Sequence, residues 1–153
     1  MRTLLPSRPF NEAKTQLSDV MSQVVRGHHP FVVDRNRGKE QMVLMEAGDL
    51  LRMLESFSFA AQVSVSDGEF IARLPVLKLT AGGETLDEAL DELVEVAEEY
   101  AQLLLERPDF YLQTDRAAHL PWALRLALTP PDQRRQLVAP EPPARGRQTT
   151  VAA

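Results

Sequence analysis

Five basic side chains, Arg8, Lys14, Arg35, Arg37 and Lys39, carry the chemistry that the first third of this sequence can offer. Arg8 and Lys14 flank the start of a helical pattern. The other three ring a turn, Arg35-Asn36-Arg37-Gly38-Lys39. Such a set can meet a nucleic-acid backbone, where phosphate contacts supply most of the affinity and one or two arginines at base edges supply sequence preference. A helix N-terminus adds free N–H groups for a phosphate. The alternative is five charges that simply solvate a small domain, and on residue types alone both readings stay open.

Other chemistries fall away on composition and spacing. The chain has no cysteine, which excludes disulfides, thiolate zinc sites and thiol catalysis. His28 and His29 are adjacent and precede a strand, where neighbours point to opposite faces, so they do not share one metal. His119 is isolated, and no helical His-x₃-His spacing occurs. The carboxylates Asp87, Asp91, Glu92, Glu95, Glu98 and Glu99 repeat on the helix face opposite an apolar stripe. They read as a solvated face, one able to meet a basic partner, and not as a convergent acid–base pair. Gly82-Gly83-Glu84-Thr85 lacks the lysine and spacing of a phosphate loop. The expectation is a protein that is not an enzyme and holds neither cofactor nor metal.

The 153 residues allow one domain or two small ones, and the net charge is −5. That figure conceals an asymmetry. Residues 1–54 carry eight Lys/Arg against six Asp/Glu, residues 57–106 two against eleven, and residues 107–153 seven against four. An acidic chain as a whole argues against nucleic acid, but only its first part need meet one. No apolar run approaches the roughly 20 residues that span a bilayer, and the first residues lack the apolar core of a signal peptide. A cytoplasmic protein is expected, with no membrane association.

The elements that must position the basic set follow from periodicity. Met1–Leu5 reads as a short edge strand, and a helix begins near Ser7–Asn11. Ala13, Leu17, Val20, Met21, Val24 and Val25 recur at helical spacing as one apolar face, and Gly27 stops the helix. Phe31–Val33 and Met42–Met45 pair as a hairpin across the basic turn, and Leu50, Leu51 and Leu54 mark a short second helix. So small a unit cannot bury a proper core alone, so it should dimerise, duplicating its basic groups at a fixed spacing. Next, Phe57 to Val65 alternate with period 2 as a half-buried strand. Asp67-Gly68 turns the chain back into Phe70–Leu74, and Val76–Leu79 forms a third strand. Thr85 and Glu88 make a capping box for a long amphipathic helix running to Glu106. Beyond it, Phe110-Tyr111-Leu112 and Leu120–Leu128 are apolar islands among prolines. They either pack on their own domain or serve as helix-in-groove ligands, with Phe110, Tyr111, Trp122, Leu124 and Leu128 as the candidate contacts. The last 15 or so residues have the composition of a disordered tail.

The first unit resembles the Phd/YefM antitoxin family. Glu12-Ala13-Lys14 with Leu17-Ser18 is similar to that family's E-A-R-x-x-L-S helix, Gly27-His28-His29-Pro30 with Val32-Val33-Asp34-Arg35 to its G-x-x-P-V-x-I-T-R strand, and Met42–Leu50 to its A-V-L-V-S-x-x-D/E-[YL] segment. Two positions depart from the pattern. Lys14 keeps the charge of the helix arginine without its fork, and Asp34 sets a negative charge beside Arg35. The resemblance implies a dimer that binds the operator of its own operon, with Lys14 and Arg35 at DNA-contacting positions, and a C-terminal segment that neutralises a co-expressed toxin. The second unit resembles the HicB-like module on Phe57–Val65, Asp67–Ala72, Leu74-Pro75 and Gly83–Leu90, which implies a nuclease-like fold that contacts the toxin without hydrolysing anything.

An α+β architecture is therefore expected. Residues 1–55 form a helix–hairpin–helix domain for dimerisation and DNA binding, residues 56–106 a small antiparallel sheet with one long packed helix, and residues 107–153 a partly disordered tail with short helical segments, the candidate toxin-binding region with or without the second domain. The expected partners are a cognate toxin, operator DNA and a second copy of the chain. The competing expectation is a DNA-binding regulator with no toxin, its second domain used for dimerisation or sensing.

Overall fold

A computed structural model describes residues 3–140 of the chain. Its contacts divide the protein into two compact units that meet in sequence at Leu54–Glu55. The architecture is α+β, with two three-stranded sheets among the described residues.

In the first unit the hairpin gains a third strand. β1 (Ser7–Pro9) runs parallel to β2 (Phe31–Arg35), which pairs antiparallel with β3 (Glu40–Leu44). The sheet is thus mixed, and the edge strand expected at Met1–Leu5 lies a few residues later. Ser7 pairs with Val32 and the Pro6 carbonyl accepts the Val32 N–H at 2.9 Å, so β1 is defined by its partner rather than by its own side chains. The expected first helix is two helices, α1 (Phe10–Thr15) and α2 (Leu17–Gly27). Thr15 explains the break. Its Oγ1 donates back to the Asn11 and Glu12 carbonyls, a local bond that competes with the helical ladder, and Gln16 leaves the helical region at φ −116°, ψ 28°. Gly27 stays helical, and His28 takes the left-handed position one residue later.

Val20, Val24 and Phe31 form the small core, with Leu44 packed against it. The single apolar face read on the first helix therefore splits. Val20 and Val24 point inward, whereas Leu17, Met21 and Val25, at i, i+4 and i+8, are about half exposed. A short helix, α3 (Ala47–Leu54), closes the unit. Glu46 starts it, accepting the Asp49 N–H at 2.8 Å.

The second unit is a meander, β4 (Gln62–Ser66), β5 (Glu69–Leu74) and β6 (Leu79–Gly83), under a long helix, α4 (Leu86–Glu106). The Asp67-Gly68 turn takes positive φ at both residues, as a two-residue hairpin requires. The capping box forms: Thr85 Oγ1 accepts the Glu88 N–H, and the Glu88 carboxylate accepts the Thr85 N–H. At the end of β6 the sheet runs close under the first turn of α4, where a Cβ on Gly83 would lie 2.5 Å from the Ala89 nitrogen. Ala72, Leu74 and Ala81 pack against Ala89, Leu90, Leu93 and Ala97.

Three expectations for this unit change. The third strand, expected at Val76–Leu79, begins only at Leu79, after a 3-10 turn at Pro75–Leu77. The alternation from Phe57 to Val65 is not one strand. Ala60 bends the chain at φ 49°, Phe59 is buried in the core, and β4 begins only at Gln62. The segment read as the start of a tail also joins the core. α5 (Pro108–Tyr111), α6 (Leu120–Leu128) and α7 (Pro131–Val138) follow α4, and Ala123, Leu126 and Val138 are as buried as any residue of the sheet. Each of these helices carries proline in its first turn, where the missing N–H costs nothing. The same prolines cut the segment into pieces too short for a periodic signal. The disordered tail expected for the last residues falls on 141–153, outside the described residues.

Candidate nucleic-acid interface and partner surface

The basic set divides into engaged and free members. Arg8, on β1, is engaged: Nη1 donates to Gln16 Oε1 at 2.8 Å, and the guanidinium lies 5.5 Å from the centre of the Phe31 ring. Lys14 on α1, and Arg37 and Lys39 at the hairpin turn, are exposed. Among the described residues none of these three joins an ion pair. Arg35 ends β2 and is held. Nε donates to Glu40 Oε2 at 2.6 Å, and the Phe10 ring stands 5.9 Å from its Cζ. Glu40, not the neighbouring Asp34, is the carboxylate that pairs with it. Hydrogen bonds from Arg35 and then Asn36 hold the Glu40 carboxyl below the usual carboxylate range.

The hairpin tip and the start of α1 share one open cleft of about 610 Å³, lined by Pro9, Phe10, Asn11, Asp34, Arg35, Asn36 and Arg37. The structure thus brings Arg35 and Arg37 together. Lys14, Lys39 and Arg8 do not line that cleft. Positive φ at Asn36, Arg37 and Gly38 turns the chain sharply enough for Arg35 and Glu40 to face each other across the ladder.

His28, Glu46 and Asp49 also converge, with one ligand-type atom each within 4.8 Å of the others. Their bonds account for the cluster. His28 Nδ1 and Asp49 Oδ2 lie 2.8 Å apart, Asp49 also pairs with Arg52, and Glu46 caps α3. The contact with His28, followed by that with Arg52, holds the Asp49 carboxyl below its ordinary value. Sequence reasoning missed this join between the end of α2 and the start of α3.

The candidate partner residues of the second unit lie in different surroundings. Phe110 and Leu128 are exposed. Tyr111, Trp122 and Leu124 are half-buried. Trp122 is committed to its own unit: Nε1 donates to the Ser58 carbonyl at 2.9 Å, and the ring meets Phe57 edge to face at 5.0 Å. Phe110 packs edge to face on Tyr111 and lies 5.5 Å from the Arg107 guanidinium. Arg116 stands between Tyr111 and Tyr100, 5.6 and 5.7 Å from their ring centres. Tyr100 Oη is 2.5 Å from His119 Nδ1. Burial, with the nearby Lys78 charge, holds His119 below its ordinary value, and burial raises Tyr100.

The acidic face of α4 does meet a basic partner, within the same chain. Arg135 bonds Asp91 at 2.9 Å and Asp87 at 3.1 Å, and Arg134 bonds Glu98 at 3.0 Å. These contacts clamp α7 along α4. No convergent catalytic set appears among the described residues, and none of their helices is long and apolar enough to cross a membrane.

Comparisons with known proteins place the chain. The structure is similar to the crystal structure of an antitoxin part of a toxin/antitoxin system from Syntrophomonas wolfei subsp. wolfei. The TM-score is 0.77 and the identity 23%, over 87% of this chain and 96% of that one. Residues 4–139 match the family model of PHD-like antitoxins of toxin–antitoxin, RelE/RelB systems, and the chain belongs to that family. No curated protein matches the chain. It is therefore an antitoxin, a regulatory protein and not an enzyme, and its family implies a cognate toxin as partner.

Proposed function

We propose that this antitoxin binds the operator of its own operon as a dimer and neutralises a co-expressed toxin in the cytoplasm. The first unit acts as a Phd/YefM-like dimerisation and DNA-binding domain, and the second as a HicB-like module. The observation that carries the reading is a pairing of features within residues 1–54. Exposed basic groups (Lys14, Arg35, Arg37, Lys39) share a small unit with the exposed apolar row Leu17, Met21 and Val25. A row of three large apolar side chains at i, i+4 and i+8 is the stripe that one helix offers another, and a second copy would bury it. Dimerisation would then present the basic hairpins in duplicate, with Arg8 supporting the β1–α1 junction beneath them.

The toxin is held by the second unit, with the exposed Phe110 and Leu128 and the half-buried Tyr111, Trp122 and Leu124 as its candidate contacts. Two experiments test the proposal. Co-purification with the product of the neighbouring gene should yield a stable complex, and this chain should rescue growth arrest caused by that product. On DNA from upstream of its own gene, Arg35→Ala should weaken binding. A neighbour that is harmless when expressed alone refutes the toxin half, and unchanged affinity removes Arg35 from the DNA half.

A further inference from the structure

We propose that Glu40 is a positioning residue that makes Arg35 a sequence-reading group instead of a general phosphate anchor; the inference rests on the operator-binding reading above. The strand register sets Glu40 directly across from Arg35 at the turn end of the hairpin. Arg35 Nε donates to Glu40 Oε2 at 2.6 Å, and Nη2 approaches the same oxygen at 2.5 Å. The other carboxylate oxygen accepts from Asn36 Nδ2 at 2.6 Å. Asn36 is itself fixed in the turn at φ 54°. The carboxylate is thus held by the turn, the guanidinium by the carboxylate, and the guanidinium is flanked by the Phe10 ring.

That arrangement has a chemical direction. The Nε–Nη2 edge of the fork is occupied, while Nη1 has no acceptor among the described residues. Guanine presents two acceptors, O6 and N7, to the terminal nitrogens of an arginine, and a fork of fixed plane meets them in one orientation. A phosphate asks for charge above all, and the Glu40 carboxylate offsets the charge of Arg35 and repels the phosphate as well. The pair therefore penalises contact with any backbone and preserves contact with a base edge. An exposed ion pair of this kind contributes little to folding, and both side chains are about half exposed. Its loss should be read in DNA selectivity and not in stability.

The test uses the full-length protein, Glu40→Gln and Glu40→Asp, with fluorescence anisotropy on two duplexes of equal length across a salt series. One duplex carries the DNA upstream of the gene and the other its scrambled sequence. For Glu40→Gln we expect binding to the scrambled duplex to tighten roughly three- to ten-fold, with a salt slope steeper by about one for each protomer. Operator binding should gain less, so the preference for operator shrinks. Glu40→Asp keeps the charge but shortens the reach. It should leave scrambled binding as in wild type and weaken operator binding alone. An unchanged ratio of operator to scrambled affinity in both variants overturns the inference while leaving operator binding standing. Equal binding of the two duplexes by the wild-type protein overturns the operator reading itself, and the inference with it.

Discussion

Met21 offers the sharpest test of assembly. It lies in the middle of the exposed row on α2 and is 56% exposed in a single chain. Full burial of a methionine side chain is worth about 1.5–3 kcal/mol, and roughly half of that remains to be gained when a second copy covers it. A two-fold interface counts each residue twice. Met21→Ala should therefore weaken the dimer by about 1.5–3 kcal/mol, which is roughly 10- to 150-fold in its dissociation constant. The protomer should be barely affected, because the side chain is not part of the Val20–Val24–Phe31 core. Sedimentation equilibrium across a concentration series measures the constant, and a thermal melt of the diluted protein checks the fold. A dimer constant within about threefold of wild type would refute the reasoning. It would mean that α2 faces solvent in the assembly and that another surface holds the copies together.

The second unit carries three further predictions. Leu126→Ala removes a fully buried side chain from between α6 and α4 and should cost about 2–5 kcal/mol, read from urea unfolding followed by circular dichroism. Gly83→Ala sets a methyl 2.5 Å from the Ala89 nitrogen and should destabilise the unit by about 1–3 kcal/mol, whereas Gly68→Asn at the hairpin turn should cost under about 1 kcal/mol by the same assay. His119 is held below its ordinary value by burial, so in acid the unfolded chain takes up a proton before the folded one does. Its contribution is thus undiminished above a pH of about 6.5 and is lost as the pH falls below that value. His119→Gln should flatten that part of the stability profile between about pH 7 and 5, and an unchanged profile would assign the acid sensitivity to other groups.

Local signals of sufficient length were legible in the sequence. The 21-residue α4 repeats its apolar stripe over nearly six turns and opens with a capping box, and the structure contains both. Asp67-Gly68 carried its own turn chemistry. What escaped was set by distant partners. β1 is Ser-Arg-Pro, without any alternation, and is a strand only because Val32 and its neighbours pair with it. Phe57 and Phe59 alternate like strand residues, yet Trp122, more than 60 positions on, meets Phe57, and the core buries Phe59. In the candidate interface the arginine was visible, and its carboxylate partner was overlooked. The signal existed: Arg35 and Glu40 stand at mirror positions about the turn, where a two-strand register must place them opposite. The exposed row on α2 was merged with the buried one, because periodicity finds an apolar face without saying which part of it the same chain covers.

The closure of the second unit by its last helices links two properties that are usually varied separately. Val138 is fully buried two residues before the described chain ends, and Arg134 and Arg135 tie α7 to three carboxylates of α4. Shortening the chain to residue 106 would therefore open the core as well as remove contacts from the surface. Conversely, a partner that grips α6 and α7 in their packed positions adds its binding free energy to the folding equilibrium, by RT ln(1 + [L]/Kd). Occupancy by such a partner and the lifetime of the chain against proteolysis would rise and fall together. The same few buried side chains that finish the fold would also report whether the partner is there.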